Sequence, residues 1–486
     1  MLPIVYLLVR AAGGGLDVVR RTLLRDRTAE LVGRSLLLAV TVTAAATVLG
    51  VGLAWLTVRC DVPGRRAWQV VCALPLAIPT YVAGFAYVSR YPGLAGFRGA
   101  WLVLTLYSYP YVYLPVSAAL ASLDPAQGEA ARSLGATPGR VFFGVTLRQL
   151  RPAIATGGLL VALYALSDFG AVSLMRYTAF TRAIYLSYQG GFDRTPAAIY
   201  GCVLVAITVV LVVAEGRARG RARYYAAGRG SVRRAPLQRL RGPARLAAFA
   251  ALSGMALLTL GVPAVTLARW LAAGTSSAVV SDTVRAAASS LGASALGAVV
   301  TALAALPIGL LAARYAGSRA ARFAEGASYA GHALPGIVIA LSLVFFATRY
   351  AGALYQRLPT LVFAYVVLFL PLAVAAIYGS AVNASPRLEE VALSLGTTPF
   401  GALTRVTAPL VAPGVGAGAA LVFLTCMKEL PATLLLRPTG FDTLATRVWS
   451  ETSSGAYAAA APAAALLIAV AAVPTWLLTR RTGLAP

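Results

Sequence analysis

The chain has 486 residues, of which 59% are hydrophobic and only 12% are charged, and its mean hydropathy is +0.76. Soluble globular proteins carry about 25% charged residues, so the composition excludes an ordinary soluble domain. The formal net charge of +26 does not indicate nucleic-acid binding, because the arginines are distributed over the loops between apolar stretches. Lys and Arg concentrate in the cytoplasmic loops of membrane proteins and attract anionic lipid headgroups.

Apolar stretches long enough to cross a bilayer recur along the whole chain. A membrane-spanning helix needs roughly 17–25 apolar residues. The sequence predicts eleven such spans, at residues 33–58, 67–89, 100–122, 153–173, 197–214, 246–268, 286–313, 327–348, 359–382, 411–435 and 457–479. We interpret the apolar residues 2–9 as the end of a twelfth span, shortened by where the chain begins. The predicted fold is an all-α polytopic membrane protein with about 12 transmembrane helices.

The two halves of the chain repeat one another. Residues 35–59 parallel residues 290–314 at an offset of 255, and Phe180 and Phe441 are 261 residues apart. Residues 215–245 are rich in arginine and poor in apolar runs, which predicts a cytoplasmic linker. The predicted domains are therefore a first six-span unit at 1–214, the linker at 215–245 and a second six-span unit at 246–486. Because six is even, both units have the same orientation, and the repeat is parallel.

A polar segment is copied in both halves. Residues 124–138 return as residues 385–399, displaced by 261 positions. Each copy predicts a short capped helix that ends at a glycine, followed by a second helix that begins at a Thr-Pro pair. The residues behind this prediction are Asp124 and Ser385 as caps, Gly135 and Gly396 as helix ends, and the Thr-Pro pairs at 137–138 and 398–399. Capping fits a helix on the membrane surface and a helix docked into another protein equally well.

The first helices of the two copies resemble a transporter motif. Glu129-Ala-Ala-Arg-Ser-Leu-Gly135 and Glu390-Val-Ala-Leu-Ser-Leu-Gly396 are similar to the EAA loop in permeases of binding-protein-dependent ABC importers, with Val391 replacing the middle alanine. The resemblance implies that each loop is a coupling helix seated in a cleft of a cytoplasmic ABC ATPase. The residues implied to couple are Glu129, Ala130, Ala131, Gly135, Glu390, Ala392 and Gly396.

The same resemblance implies where the protein resides and what surrounds it. A permease of this kind is a multi-pass protein of the bacterial inner membrane, in contact with lipid and not with nucleic acid. Its expected partners are a dimeric cytoplasmic ATPase and an extracytoplasmic solute-binding protein. The sequence shows no nucleotide-binding glycine loop, so we expect a transport subunit that is not itself an enzyme and holds no cofactor or resident metal. The charge distribution predicts a cytoplasmic C-terminus.

The fused, two-unit arrangement resembles the ferric-iron permeases in particular. Residues 428–438 and 440–447 are similar to that group, as are residues 167–172 in the first half. The resemblance implies ferric iron as the solute, with thiamine or another small solute as the alternative. A solute assigned in this way is an analogy, because similar scaffolds carry different solutes.

Few ionisable residues fall within the apolar stretches. Asp168 and Glu429 occupy equivalent places, 261 residues apart, and Lys428 is the only lysine in the chain. Intramembrane charges commonly face a cavity, and carboxylate oxygens suit hard cations such as Fe³⁺. One interpretation places Asp168, Glu429, Lys428 and Tyr164, one turn before Asp168, on the translocation path. The other, which the sequence favours, is structural: an ion pair or a helix cap.

Two other classes of protein explain the sequence less well. A secondary transporter with two parallel halves would be expected to carry acids or histidines deep in several spans, and it has no use for a duplicated docking segment. A membrane-embedded enzyme needs a catalytic constellation, and the chain has one histidine and four cysteines without a CxxC spacing. The leading prediction is the membrane subunit of an ATP-driven importer.

Overall fold

The computed structural model describes residues 2–190, 194–219, 237–315, 317–332 and 334–481. Most of the predicted linker, residues 220–236, lies outside this part of the chain. Within it the structure is helical throughout, as predicted. The β-type pairing found among the described residues is an isolated parallel bridge between Cys60 and Gln238.

Seven continuous helices in the described residues are long and apolar enough to cross a membrane. They are Asp26–Arg59, Pro138–Ser167, Thr195–Ala214, Pro243–Ala272, Ser277–Arg314, Leu358–Asn383 and Pro399–Lys428. The remaining predicted spans correspond to shorter or interrupted helices. These are Leu2–Ala12, Phe97–Ser108, Pro110–Ser122, Arg319–His332, Gly336–Tyr350 and Tyr457–Ala472, the apolar part of the last helix.

The predicted span at 67–89 is an eighth candidate that bends by 89° between Arg65–Ala77 and Thr80–Arg90. A 3₁₀ turn at Leu74–Ala77 ends the first helix, and Ile78 is extended with φ −87° and ψ 120°. The residue before a proline is pushed out of the helical region, and Pro79 follows Ile78. Pro79 therefore determines where the span bends.

The chain forms two compact units, each of which draws on both halves of the sequence. The first unit comprises residues 1–28, 183–205 and 274–474, and the second comprises 29–182, 206–273 and 475–486. The division at 1–214, 215–245 and 246–486 describes the sequence repeat and stays a prediction. In the first unit, Leu2–Ala12 packs against Gly336–Tyr350, where Leu7 is buried and Arg10 lies over the ring of Phe345.

Small residues let the long helices approach closely within each unit. In the first unit Gly309 lies against Ile377, whose Cγ2 would be 2.7 Å from an added Cβ. In the second unit Gly157 and Gly50 lie against Val112 in the same way, at 2.7 and 2.8 Å. Membrane helices associate through such small-residue contacts, because lipid provides no hydrophobic drive between them.

In the part of the chain that the structure describes, three π-helical turns interrupt the spans, at Phe142–Thr146, Leu257–Gly261 and Leu403–Thr407. The first and third are 261 residues apart and follow the two copies of the polar segment, so the repeat extends to this local irregularity. The short helices Phe180–Gly190 and Leu444–Ser453 are anchored alike in both halves. Ser35 accepts from the Phe180 N–H at 3.0 Å, and Ser290 accepts from the Leu444 N–H at 2.7 Å.

Candidate functional site

The repeated segments form the helices Ala126–Ser133 and Pro386–Ser394, which end in the same way. Gly135 has φ +81° and Gly396 has φ +84°, in the left-handed region that favours glycine. The Ala136 N–H donates to the Ala131 carbonyl at 3.0 Å, and the Thr397 N–H donates to Ala392 at 3.1 Å. This is the six-to-one bond of a Schellman motif, and it confirms the predicted helix ends.

The helix starts match the prediction in part. Ser385 is the N-cap residue with Pro386 first in the helix, but its side chain forms no capping bond. Asp124 lies one position further from its helix than predicted, because Pro125 takes the N-cap place; its Oδ1 still accepts from the Ala126 N–H at 2.9 Å.

The helices that follow begin as predicted. Thr137 accepts from the Arg140 N–H at 3.4 Å, and Thr398 accepts from Gly401 at 3.1 Å. Each threonine is followed by a proline at the first helical position, where the missing N–H is not needed.

Both helices of the repeated segments present their surface to solvent, and neither contains a buried residue. Glu129, Ala131 and Ala392 are half-buried, whereas Ala130 and Glu390 are exposed. The apolar side chains at their ends are also exposed, with Leu134 at 88% and Leu395 at 79%. Both leucines are therefore accessible to another molecule.

The two copies differ where they meet the end of a long helix. Arg314, the last residue of Ser277–Arg314, donates to Glu389 Oε1 at 2.6 Å, and Thr407 also donates to that oxygen. Gly128 stands at the position of Glu389 in the first copy. There Arg59, the counterpart of Arg314, donates instead to the Leu123 carbonyl at 3.3 Å.

A groove opens beside Arg59 in the first copy. It is lined by Trp55, Arg59, Leu123, Asp124, Pro125, Gly128, Glu129, Arg132, Pro138, Val141, Val145, Thr146, Gln149 and Gln238. Gln238 is held there by two backbone hydrogen bonds, from its N–H to Arg59 and from the Asp61 N–H to its carbonyl. The last part of the predicted linker, at Gln238, is therefore fixed beside the first repeated segment.

The two predicted path carboxylates accept hydrogen bonds from the start of the helix that follows each of them. Asp168 Oδ1 accepts from the Ala171 and Val172 N–H groups at 2.9 and 3.2 Å, and Oδ2 accepts from Thr80 Oγ1 at 2.5 Å. Glu429 accepts from the Ala432 and Thr433 N–H groups, both at 2.8 Å. This is the geometry of a helix cap.

The structure brings Tyr164 to this site through Thr80, since the Tyr164 hydroxyl donates to Thr80 Oγ1 at 3.4 Å. Lys428 ends the helix Ala408–Lys428 and is half-buried. The contributions of Thr80 and Thr433 were not predicted. Thr433 lies four residues after Glu429, a spacing that could have indicated it, whereas Thr80 is 88 residues from Asp168, and the sequence gives no local sign of the contact.

Comparison with known proteins identifies the family. Residues 46–222 and 305–480 each match the model of the binding-protein-dependent transport system inner membrane component. The chain belongs to this family. The permease domain is present twice, which confirms the two-unit fold class, and the protein is a multi-pass inner-membrane transport component and not an enzyme. Membership implies an ATPase and a solute-binding protein as partners.

Relatives match this permease over different lengths. The Fe(3+)-transport system permease protein FbpB 2 of Haemophilus influenzae is 39% identical over 482 residues, which cover 99% of the chain and 95% of the relative. The sulfate transport system permease protein CysT of Escherichia coli is 31% identical over 186 residues, 34% of the chain and 67% of the relative. The molybdenum transport system permease protein ModB of Escherichia coli is 34% identical over 139 residues, 25% of the chain and 60% of the relative.

Proposed function

We propose that this permease forms the membrane path of an ATP-driven ferric-iron importer. The similarity to FbpB 2 carries the choice of solute, because it extends over 482 residues and both permease units. The similarity to CysT covers only 34% of the chain. An extracytoplasmic binding protein delivers the iron, and the permease provides a path that binds it weakly, since tight binding would trap the ion.

We further infer that the helices Ala126–Ser133 and Pro386–Ser394 couple the permease to a dimeric cytoplasmic ATPase. The observation that supports this is the duplication of one capped, solvent-facing helix, with the same Schellman end, at a constant spacing in both permease units. A helix closed by a defined turn keeps its shape when a partner pushes against it. Its exposed apolar ends, Leu134 and Leu395, supply contact area for the partner.

Replacement of Gly135 and Gly396 by valine tests the coupling role. A β-branched residue in the left-handed region costs about 1–2 kcal/mol at each site, so both helix ends should distort while the spans stay folded. We expect ATP hydrolysis stimulated by the loaded binding protein to fall roughly tenfold or more. Gly139→Val is the matched control, because Gly139 has open space around it and Phe400 occupies the equivalent position. Normal stimulation in the folded double variant would refute the coupling assignment.

Uptake into vesicles that contain the permease, its ATPase and the binding protein tests the solute. Radioactive ferric iron should accumulate only when ATP is enclosed, and excess thiamine or sulfate should not compete. Transport of thiamine without iron would overturn the choice of solute. Iron uptake driven by an ion gradient without ATP would indicate a secondary transporter.

A further inference from the structure

Two equivalent arginines differ in whether a carboxylate of the chain pairs with them. Arg59 and Arg314 end corresponding long helices, 255 residues apart, next to the two helices of the repeated segments. Arg314 forms an ion pair of 2.6 Å with Glu389. Among the described residues, Arg59 forms no ion pair with any carboxylate.

The missing partner of Arg59 is explained by one residue. Gly128 stands 261 residues before Glu389, and Thr146 stands 261 residues before Thr407, which also binds Glu389. In the first copy the arginine and the threonine are thus both present and the acid is absent. The space is open as well, since among the described residues a Cβ added at Gly128 would meet only Val141, at 3.6 Å.

The side chains around Arg59 do not fill the position that corresponds to Glu389, so a carboxylate has room to bind there. Arg59 and Thr146 both line the groove, together with Gln149 and Gln238, which are hydrogen-bonding residues without charge. Asp124 and Glu129 lie on the same groove, and Asp124 already accepts from the Ala126 N–H. Residues 216–245 contain no Asp or Glu, so the part of the linker after Glu215 cannot supply the acid.

We propose that an acidic side chain of the cytoplasmic ATPase enters this groove and pairs with Arg59, in the place that Glu389 takes beside Arg314. The inference rests on the proposed docking of the ATPase at the repeated segments. It adds that the two docking sites are not equivalent: the first is completed by the partner, and the second is closed by the permease itself. An arginine suits this role, because its guanidinium binds a carboxylate through two parallel hydrogen bonds.

Two substitutions should weaken docking by different routes. Arg59→Gln removes the charge that the acid binds. Gly128→Glu recreates the pair of the second copy, fills the groove and repels an incoming carboxylate. We expect each to lower the affinity of the detergent-solubilised permease for its ATPase roughly five- to tenfold, and to reduce the salt dependence of binding.

The chain provides matched controls for both variants. Gly128→Ala adds a side chain without charge, so it should lose less affinity than Gly128→Glu. Arg314→Gln removes the arginine whose acid is already present, so it should lose less affinity than Arg59→Gln. Thermal unfolding of each variant verifies that the fold is intact. Charge reversal of one ATPase acid that restores binding to Gly128→Glu or to an Arg59→Glu variant would identify the residue that enters the groove.

Several results would overturn the inference. Unchanged affinity and salt dependence in both Arg59→Gln and Gly128→Glu would exclude a carboxylate in the groove. If Arg59→Gln bound the ATPase weakly while Gly128→Glu bound it normally, the role of Arg59 would be its hydrogen bond to the Leu123 carbonyl and not an ion pair with the ATPase. An equal loss in Gly128→Ala would indicate packing alone. If anionic lipid vesicles without ATPase protected Arg59 from an arginine-modifying reagent, the anion that pairs with Arg59 would be a lipid headgroup.

The coupling role of the repeated segments and the pairing of Arg59 with an ATPase acid can be refuted separately. If the proposed coupling is wrong, the Gly135→Val/Gly396→Val variant hydrolyses ATP with normal stimulation. If only the Arg59 inference is wrong, that variant is uncoupled while Arg59→Gln and Gly128→Glu bind the ATPase normally.

Discussion

The carboxylates of Asp168 and Glu429 are buried, at 8% and 9% exposure, and their surroundings explain how they are tolerated. A buried charge is costly unless it is hydrogen-bonded. Each of them accepts from two backbone N–H groups at the start of the next helix and from a threonine hydroxyl, Thr80 or Thr433. Capping and a place on the iron path are compatible roles, and substitutions that keep one and remove the other can separate them.

The amide variants Asp168→Asn and Glu429→Gln test the path, and the alanine variants test the cap. An amide oxygen can still accept from the helix N–H groups, so the thermal stability of the amide variants should stay close to wild type. Alanine removes the acceptor and should lower the free energy of unfolding by about 1–2 kcal/mol at each site.

If the acids line the iron path, the double amide variant takes up less radioactive iron while ATP hydrolysis in the complex is preserved. Equal iron uptake by this variant and wild type would leave both residues as caps alone.

At the scale of helices, the π turn at Leu257–Gly261 is stabilised by two tyrosines from the same compact unit. The Tyr87 hydroxyl donates to the Leu258 carbonyl at 2.8 Å, and the Tyr107 hydroxyl donates to the Thr259 carbonyl at 2.7 Å. A π turn leaves carbonyls without their usual helical partners, and within an apolar environment such groups must find another donor. These tyrosines therefore allow the span Pro243–Ala272 to carry an irregular turn.

Replacement of Tyr87 and Tyr107 by phenylalanine should destabilise the permease. Each change keeps the ring and removes one hydroxyl, so the expected loss is about 0.5–1.5 kcal/mol for each bond. Thermal unfolding of the detergent-solubilised chain measures it. Tyr91→Phe serves as the control, because Tyr91 is 45% exposed and should give the wild-type value. A double variant as stable as wild type would mean that the two carbonyls do not need these donors.

The sequence predicted the helix ends of the repeated segments better than it predicted their surroundings. Gly135, Gly396 and the Thr-Pro pairs act on neighbours within a few residues, so their effect can be read locally. The ion pair of Arg314 with Glu389 joins residues 75 positions apart, and the sequence contains no local sign of it. The bend at Pro79 lies inside a continuous apolar run and was not predicted. Hydropathy identifies apolar stretches but does not indicate the direction of a helix.

At the scale of the whole molecule, the order of the sequence and the grouping of contacts differ. The first compact unit contains residues 274–474 together with residues 1–28 and 183–205, and the second includes residues 206–273, which extend beyond the predicted first unit at 1–214. A duplicated sequence therefore does not fold as two separate consecutive blocks. The two copies also differ within the one chain, since Gly128 stands where the second copy has Glu389.

The orientation of the chain in the membrane is the last prediction. The excess of arginine places both repeated segments, the linker and the C-terminus in the cytoplasm. Ser394 ends the helix Pro386–Ser394 and Ser453 ends Leu444–Ser453. Both side chains are exposed, and the span Pro399–Lys428 lies between them. Single cysteines at these positions should therefore differ in their reaction with an impermeant thiol reagent applied to intact cells.

The labelling is carried out after replacement of the four native cysteines. Cys60 alone would give little background, because burial raises the pKa of its thiol to about 11 and the thiolate is the reactive form. We expect Ser453→Cys to react in intact cells and Ser394→Cys only after permeabilisation. Ser231→Cys, in the linker and outside the described residues, should behave like Ser394→Cys. Reaction of position 394 or 231 in intact cells would reverse the orientation, and with it the cytoplasmic location that docking of the ATPase requires.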